Sequence, residues 1–349
     1  MSGANTGEPL RAGTTGGLIE GGPRVVAIGG GHGLAQTLRA IRRYAGEITA
    51  IVSVADDGGS SGRLRADLGI PAPGDIRQCL GALLPLQPAS PLADAMEHRF
   101  EAGALAGHAF GNLLIAALAA STGDFAGAVA STGRLLGTLG FVLPATVGPV
   151  DLKATGDFGE VDGQVQIMAT RGVTMISLVP PDPEPAPGAV EALVDADQVV
   201  IGPGSLYTSV LAACCVPALR VAIETTKAER VYVANLREQL PETAGYDVAA
   251  HLAALERHGV TVDVVLADPR ALPIGALRSD VRLVCAEVGN DRLAAHDPIL
   301  LAHHLASLVD GRIVCERQSP LRDRAEARPP YDVSGVITSM IEEPEAMTK

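Results

Sequence analysis

The stretch Arg24–Gly33, RVVAIGGGHG, decides the reading of the whole chain. Four apolar residues, Val25 to Ile28, run straight into glycines. A continuous apolar run suits a strand buried on both faces, as in a parallel sheet, rather than the alternation of a half-exposed strand. Leu34, Leu38 and Ile41 then recur at helical spacing within LAQTLRAIRRY (34–44), and ITAIVSV (48–54) is a second buried run. Strand, glycine turn, helix and strand make a βαβ unit, which predicts a parallel sheet with helical crossovers.

Working outward, the same alternation returns in the second half. Strands are predicted over 198–202 (QVVIG), 230–234 (RVYVA), 262–266 and 281–285, with helices over 189–194, 206–213, 248–258 and 299–309. Residues 75–84 read as a helix, and 91–137 as several Ala/Leu-rich helices. Residues 139–180 change character: FVLPAT, VDLKAT, VDGQVQI and VTMISL are short strand-like pieces, hence a small β-rich insertion, followed by the proline-rich connector PPDPEPAPG (180–188). The expected architecture is a Rossmann-like parallel sheet flanked by helices, with that β-rich excursion. It occupies 23–316, after a flexible leader (1–22) and before a loose, peripheral tail (317–349).

Composition narrows the function classes. The chain has 349 residues, enough for a large core, and 47% of them are hydrophobic. Aromatics are 3% and Trp is absent, which disfavours a stacking platform for single-stranded nucleic acid. A net charge of −13 without a dense Lys/Arg block disfavours direct nucleic-acid binding altogether. Cys79, Cys214, Cys215, Cys285 and Cys315 are odd in number and form no C-x-x-C pair, so reduced thiols in a cytoplasmic protein are expected. The start lacks the apolar core of a signal peptide, the apolar runs fall short of a membrane span, and no membrane insertion is expected.

Six motifs could carry chemistry. Gly30-Gly31-His32-Gly33 follows the first strand, where glycine lets bare N–H groups approach a phosphate at a helix N-terminus. The dinucleotide fingerprint would need a third glycine where Leu34 stands, so NAD is not specified, and a ligand-free turn remains open. His32 is read either as a phosphate contact or as a surface residue. Asp56-Asp57-Gly58-Gly59-Ser60-Ser61-Gly62-Arg63 falls at the carboxyl end of the second strand, the ligand edge of an open α/β sheet. There a carboxylate, Asp57 in particular, suits ribose hydroxyls or a divalent cation, and Arg63 suits phosphate. Asp75 in PGDIR is either a helix cap or a ligand group. His108 and Asn112 lie in GHAFGN ahead of an apolar helix. Gly202, Gly204, Ser205 and Tyr207 in GPGSLYTS read as a second phosphate cradle without the Walker lysine. Asn235 and Gln239 in NLREQ follow another strand and serve either the ligand or the loop itself.

Taken together and in order, IGGGHG, VADDGGSSGRLR, APGDIR, GHAFGNL, GPGSLYTS and NLREQLPET resemble the gluconeogenesis-factor (YvcK-like) family over about residues 24 to 310. That family is similar in fold to the CofD-like 2-phospho-L-lactate transferases. The resemblance implies a UDP-sugar ligand, UDP-N-acetylglucosamine especially, with no certain cofactor, and a regulatory role in cell shape, cell-envelope precursor supply and gluconeogenic carbon metabolism. A homo-oligomer and a cell-envelope or signalling protein partner are further expectations. The alternative is a transferase that moves a phosphorylated group from a nucleotide donor to an acceptor. The chain departs from the family pattern at His32, at Arg237, Glu238, Leu240 and Pro241, and at Ala295 ahead of His296 and Asp297.

Overall fold

The computed structural model describes residues 17–85 and 91–309. The expected tail, most of the leader and Cys315 lie outside the described residues. Strand β1 (Arg24–Gly29) is flanked by two parallel neighbours, so Val25 to Ile28 are at most 2% exposed. Helix α1 (Gly31–Ile41) follows, then strand β2 (Glu47–Val52). Leu34, Leu38 and Ile41 are fully buried, each contributing ~1.5–3 kcal/mol of apolar burial. Helices α2 (Gly59–Leu68), α3 (Gly74–Ala82), α4 (Pro91–Glu97), α5 (Phe110–Thr122) and α6 (Phe125–Leu136) lead to strand β3 (Phe141–Pro144).

The β-rich segment expected over 139–180 divides in two. Phe141–Pro144 belongs to the main sheet, paired in parallel with β2. The remainder forms a separate antiparallel sheet of β4 (Asp151–Gly156), β5 (Gly159–Asp162) and β6 (Val173–Val179), in the order β5-β4-β6, with helix α7 (Gln164–Met168) between the last two strands.

Helix α8 (Ala189–Asp195) returns the chain to strand β7 (Gln198–Ile201), which lies on the other side of β1. A π-helical turn (Leu206–Leu211) runs on into α9 (Ala212–Cys214), where an ordinary helix is expected from sequence. Helix α10 (Pro217–Thr225), β8 (Glu229–Val233), α11 (Val248–Arg257), β9 (Val264–Ala267), β10 (Arg282–Cys285) and α12 (Pro298–Val309) complete the described fold.

The main sheet has the order β10-β9-β8-β7-β1-β2-β3, and every pairing in it is parallel. The chain therefore moves outward from β1 through β2 to β3, then outward from β7 in the opposite direction. The reversal between β1 and β7 is a topological switch point, the place at the carboxyl ends of the strands where open α/β sheets commonly bind their ligands. Among the described residues no single helix is long and apolar enough to cross a membrane. Leu206–Cys214 and Pro217–Thr225 together have the length and composition but are bent by 78°.

Candidate functional site

The glycine turn after β1 is shaped by a neighbouring carboxylate. Gly30 is extended and precedes α1 without a side-chain cap, and Gly31 opens the helix at φ +64. The Asp75 carboxylate, from the first turn of α3, accepts the Gly31 N–H. It stands so close that a Cβ on Gly30 would lie 2.6 Å from its Oδ2. Asp75 thus faces α1 and does not cap its own helix. Desolvation first, then the Asp56 charge, push Asp75 up to about 7. His32 is exposed at the same helix start.

Residues 59–68 are helix α2, although the glycine- and serine-rich run from Ala55 to Arg65 reads from its sequence as a polar glycine loop. Gly59, at φ +52, opens it, and Gly58 supplies no side-chain cap. The helix holds because Leu64 is buried and Arg65 pairs with Asp151 at 2.6 Å. Two helices, α1 and α2, therefore begin on glycines without capping side chains at the ends of adjacent strands. Their first-turn N–H groups and helix dipoles make this edge receptive to anions. Asp56 accepts the Gly58 N–H at 2.9 Å and a hydrogen bond from Ser61, while burial raises its carboxyl above the usual range.

Asp57 has a different task. Its oxygens accept the N–H groups of Gln164 at 2.8 Å and Val165 at 2.9 Å, capping α7 and tying the small sheet to the loop. Both Asp57 oxygens are thus engaged within the chain, which does not favour the ribose or cation role expected for it.

The turn after β7 corrects the second-cradle expectation more fully. The Glu242 carboxylate, 3% exposed, accepts the N–H groups of Tyr207 at 3.0 Å and Thr208 at 3.1 Å, and the Ser205 hydroxyl. An internal carboxylate thus takes the donors a phosphate would use. Asn235 accepts the Gly204 N–H at 3.1 Å and donates to the Gly204 carbonyl at 2.9 Å. Tyr207 is fully buried and its hydroxyl meets that of Tyr246 at 2.8 Å. Ser205, Tyr207 and Asn235 are therefore structural. Gln239 anchors locally through its N–H to Thr243 Oγ1 at 2.9 Å, and its Oε1 is buried without a partner among the described residues. Gly202 accepts the Thr37 hydroxyl through its carbonyl at 3.0 Å, and a Cβ on Gly33 would come within 2.3 Å of the Pro203 carbonyl oxygen. The two glycine turns are packed directly against each other, so the second supports the first.

The GHAFGN segment supplies the remaining wall. Asn112 donates to Ser60 Oγ at 3.2 Å and accepts from Arg77 Nε at 3.1 Å, and Arg77 pairs with Glu97. Arg63 donates to the Ala106 carbonyl at 3.0 Å, and Arg99 donates to the Gly107 carbonyl. His108 is 9% exposed, and burial lowers its tendency to protonate. Arg99 and Glu242 are not among the expected site residues; the Glu242 partners lie 34 to 37 residues away, and no local spacing announces either role.

No group of three or more His, Cys, Asp or Glu side chains that could cage a metal exists among the described residues. The four described cysteines are free, and burial pushes the Cys215 thiol up to about 12. A cavity of about 350 Å³ lies elsewhere, lined by Leu252, Leu255, Val260, Leu277 and Val281, with Arg230 and Asp263 near the amino end of β8.

The fold and this edge define a Rossmann-like α/β protein with two glycine-opened helix starts beside its switch point. Residues 25–300 match the family described as 2-phospho-L-lactate transferase CofD. The putative gluconeogenesis factor of Mycobacterium tuberculosis (strain ATCC 25618 / H37Rv) is 41% identical over 317 residues, covering 84% of this chain and 90% of that protein. The gluconeogenesis factor of Bacillus subtilis (strain 168) is 40% identical over 256 residues, covering 72% and 80%. A putative gluconeogenesis factor of Nostoc sp. is 44% identical over 238 residues, and the match spans 67% of this chain but only 52% of that relative. The crystal structure of a UPF0052 family protein from Bacillus halodurans superposes with a TM-score of 0.75 at 35% identity, covering 83% of this chain and 99% of that one. The chain belongs to the gluconeogenesis-factor family within the CofD group.

Proposed function

We propose that this protein binds a nucleotide diphosphate sugar of the UDP-N-acetylglucosamine type in the β1/β7 crevice. In this reading it acts as a cytoplasmic regulator of cell shape, cell-envelope precursor supply and gluconeogenic carbon metabolism. The observation that carries the ligand class is the pair of glycine-opened starts of α1 and α2 on neighbouring strands, where Asp75 takes one N–H of α1 and the remaining first-turn N–H groups suit two linked phosphates. The relatives' printed names support the metabolic setting.

Asp75 presents a difficulty with a chemical solution. Its carboxylate holds the Gly31 N–H, so an incoming phosphate meets a like charge. Asp56 and Asp75 would hold a divalent cation, whose charge would offset that repulsion. Mg²⁺ characteristically binds through one or two carboxylates plus phosphates, and this donor set fits it. When bound, the ion supplies charge neutralisation, while the chain orients the phosphates through the N–H groups of α1 and α2. Leu34, fully buried where the dinucleotide fingerprint has glycine, argues against NAD.

Calorimetry with Mg²⁺ tests the reading. UDP-N-acetylglucosamine is expected to bind at least ~10-fold more tightly than NAD, a gap of ~1.4 kcal/mol. Tighter binding of NAD would overturn it. A second reading, a transferase moving a phosphorylated group to an acceptor, is favoured by the family match and by two carboxylates beside the cradle. It predicts that a nucleoside monophosphate appears when an acceptor alcohol is added, which ³¹P NMR would detect.

A further inference from the structure

Beside the start of α2 lies a group of basic side chains that the diphosphate reading does not use. The segment 98–110 folds back on itself: Phe100 N–H donates to the His108 carbonyl at 3.0 Å, Gly107 N–H to the Phe100 carbonyl at 2.8 Å, and Phe110 N–H to the His98 carbonyl at 2.8 Å. This pairing sets Arg99 beside Ala109 and carries His108 on the returning strand. Arg63 reaches the same turn from α2.

Three features separate this group from ordinary loop pinning. Arg63 and Arg99 are exposed, and neither has a carboxylate partner among the described residues. Each guanidinium uses a single nitrogen, Arg63 on the Ala106 carbonyl and Arg99 on the Gly107 carbonyl and Ser60 Oγ, so the rest of each planar fork is uncommitted. His108, with 9% exposure, makes no side-chain hydrogen bond, and its Nδ1 is sealed from solvent without a partner. A buried imidazole nitrogen without a partner is costly in a purely structural role. Guanidinium forks, in contrast, match the two oxygens of a phosphate or carboxylate.

The group is joined to the cradle by hydrogen bonds. Arg99 reaches Ser60 Oγ at 3.5 Å, Ser60 accepts from Asn112 at 3.2 Å, and Asn112 accepts from Arg77 at 3.1 Å. Arg77 lies on α3 two residues beyond Asp75, which holds Gly31. We infer that Arg63, Arg99 and His108 form an oxyanion subsite for an acid group at the far end of the crevice ligand, so the preferred ligand is a nucleotide sugar whose sugar carries a carboxylate or phosphate. The inference rests on the nucleotide-sugar reading above.

UDP-glucose and UDP-glucuronic acid differ only by an alcohol or a carboxylate at the sugar C6, and they test it on the full chain with Mg²⁺. Calorimetry is expected to give at least ~10-fold tighter binding of the glucuronic acid compound. In Arg99→Gln, whose shorter side chain still donates hydrogen bonds but carries no charge, that ratio should fall toward one. Equal affinities in the unaltered protein would overturn the subsite while leaving the crevice reading intact. If neither compound binds, the crevice reading fails, and orthophosphate then decides the subsite by itself. Its titration, followed by NMR of the His108 imidazole, should move that signal in the unaltered protein and not in Arg63→Gln/Arg99→Gln. An imidazole signal indifferent to orthophosphate would overturn the subsite.

Discussion

Replacing Asp75 by asparagine should make the protein more stable and less able to bind its ligand. The side-chain amide keeps an oxygen for the Gly31 N–H but carries no charge. Burial and the Asp56 charge raise the Asp75 carboxyl from 3.8 to about 7. Between those values the folded chain keeps a proton that the unfolded chain has released, so stability falls as pH rises across the window. Three pH units at ~1.4 kcal/mol each set a ceiling of ~4 kcal/mol. Asp75 is not wholly shut off from water, and solvent screening brings the expected contribution nearer ~2 kcal/mol. Urea denaturation of both proteins at pH 4 and pH 8 measures this. Asp75→Asn should be more stable by ~2 kcal/mol at pH 8, with the advantage gone by pH 4. A variant less stable at pH 8, or a gap of equal size at both pH values, would refute the assignment. The same variant should lose the Mg²⁺-dependent part of nucleotide-sugar binding, a trade between stability and function common at charged sites.

Three further outcomes follow from the same geometry. Glu242→Ala leaves two buried N–H groups and the Ser205 hydroxyl without their acceptor, so urea unfolding should show a loss of ~3–5 kcal/mol, while nucleotide-sugar affinity at a temperature well below melting stays unchanged. Gly33→Ala drives a methyl group into the Pro203 carbonyl and should cost ~1–3 kcal/mol or more, read as a lowered melting temperature, because two backbones must separate. Asp57→Ala uncaps α7 and should cost ~0.5–2 kcal/mol, with faster hydrogen exchange at Gln164 and Val165 as its signature. Normal exchange at both amides would remove the capping role.

The parallel sheet was legible because its strands are buried on both faces, and Val25–Ile28 and Gln198–Ile201 show that environment directly as unbroken apolar runs around one polar residue. Gln198 is tolerated since Tyr44 donates to its Oε1 at 2.6 Å and it donates to the Leu305 carbonyl at 3.1 Å. Helix α2 was not legible. GSSGRLRADL has poor helix formers in its first turn, and its support comes from Leu64 burial and from Asp151 on the small sheet. Helix α10 is also missing from the expected elements, although Pro217 stands at its start, where proline is welcome. In the site, the glycine turns were visible, but their division of labour was not. Glu242 lies 37 residues from Ser205 and Asp57 lies 107 from Gln164, and such long-range caps leave no periodic trace. A glycine turn before a helix looks the same whether its donors await a ligand or already hold a carboxylate of the same chain.

The most direct test of the central claim is a UDP-N-acetylglucosamine titration of the unaltered protein and of Gly31→Ala, with Mg²⁺. Gly31 stands at φ +64, and only the Asp75 carboxylate lies within 4 Å of where its Cβ would be, so a methyl group there would project toward the proposed phosphate. The left-handed backbone costs the variant ~1–2 kcal/mol of stability, which leaves a folded protein to titrate at low temperature. The account predicts clear binding by the unaltered chain and at least ~10-fold weaker binding by Gly31→Ala. Equal affinity in a demonstrably folded variant would place the ligand somewhere other than the start of α1 and contradict the account.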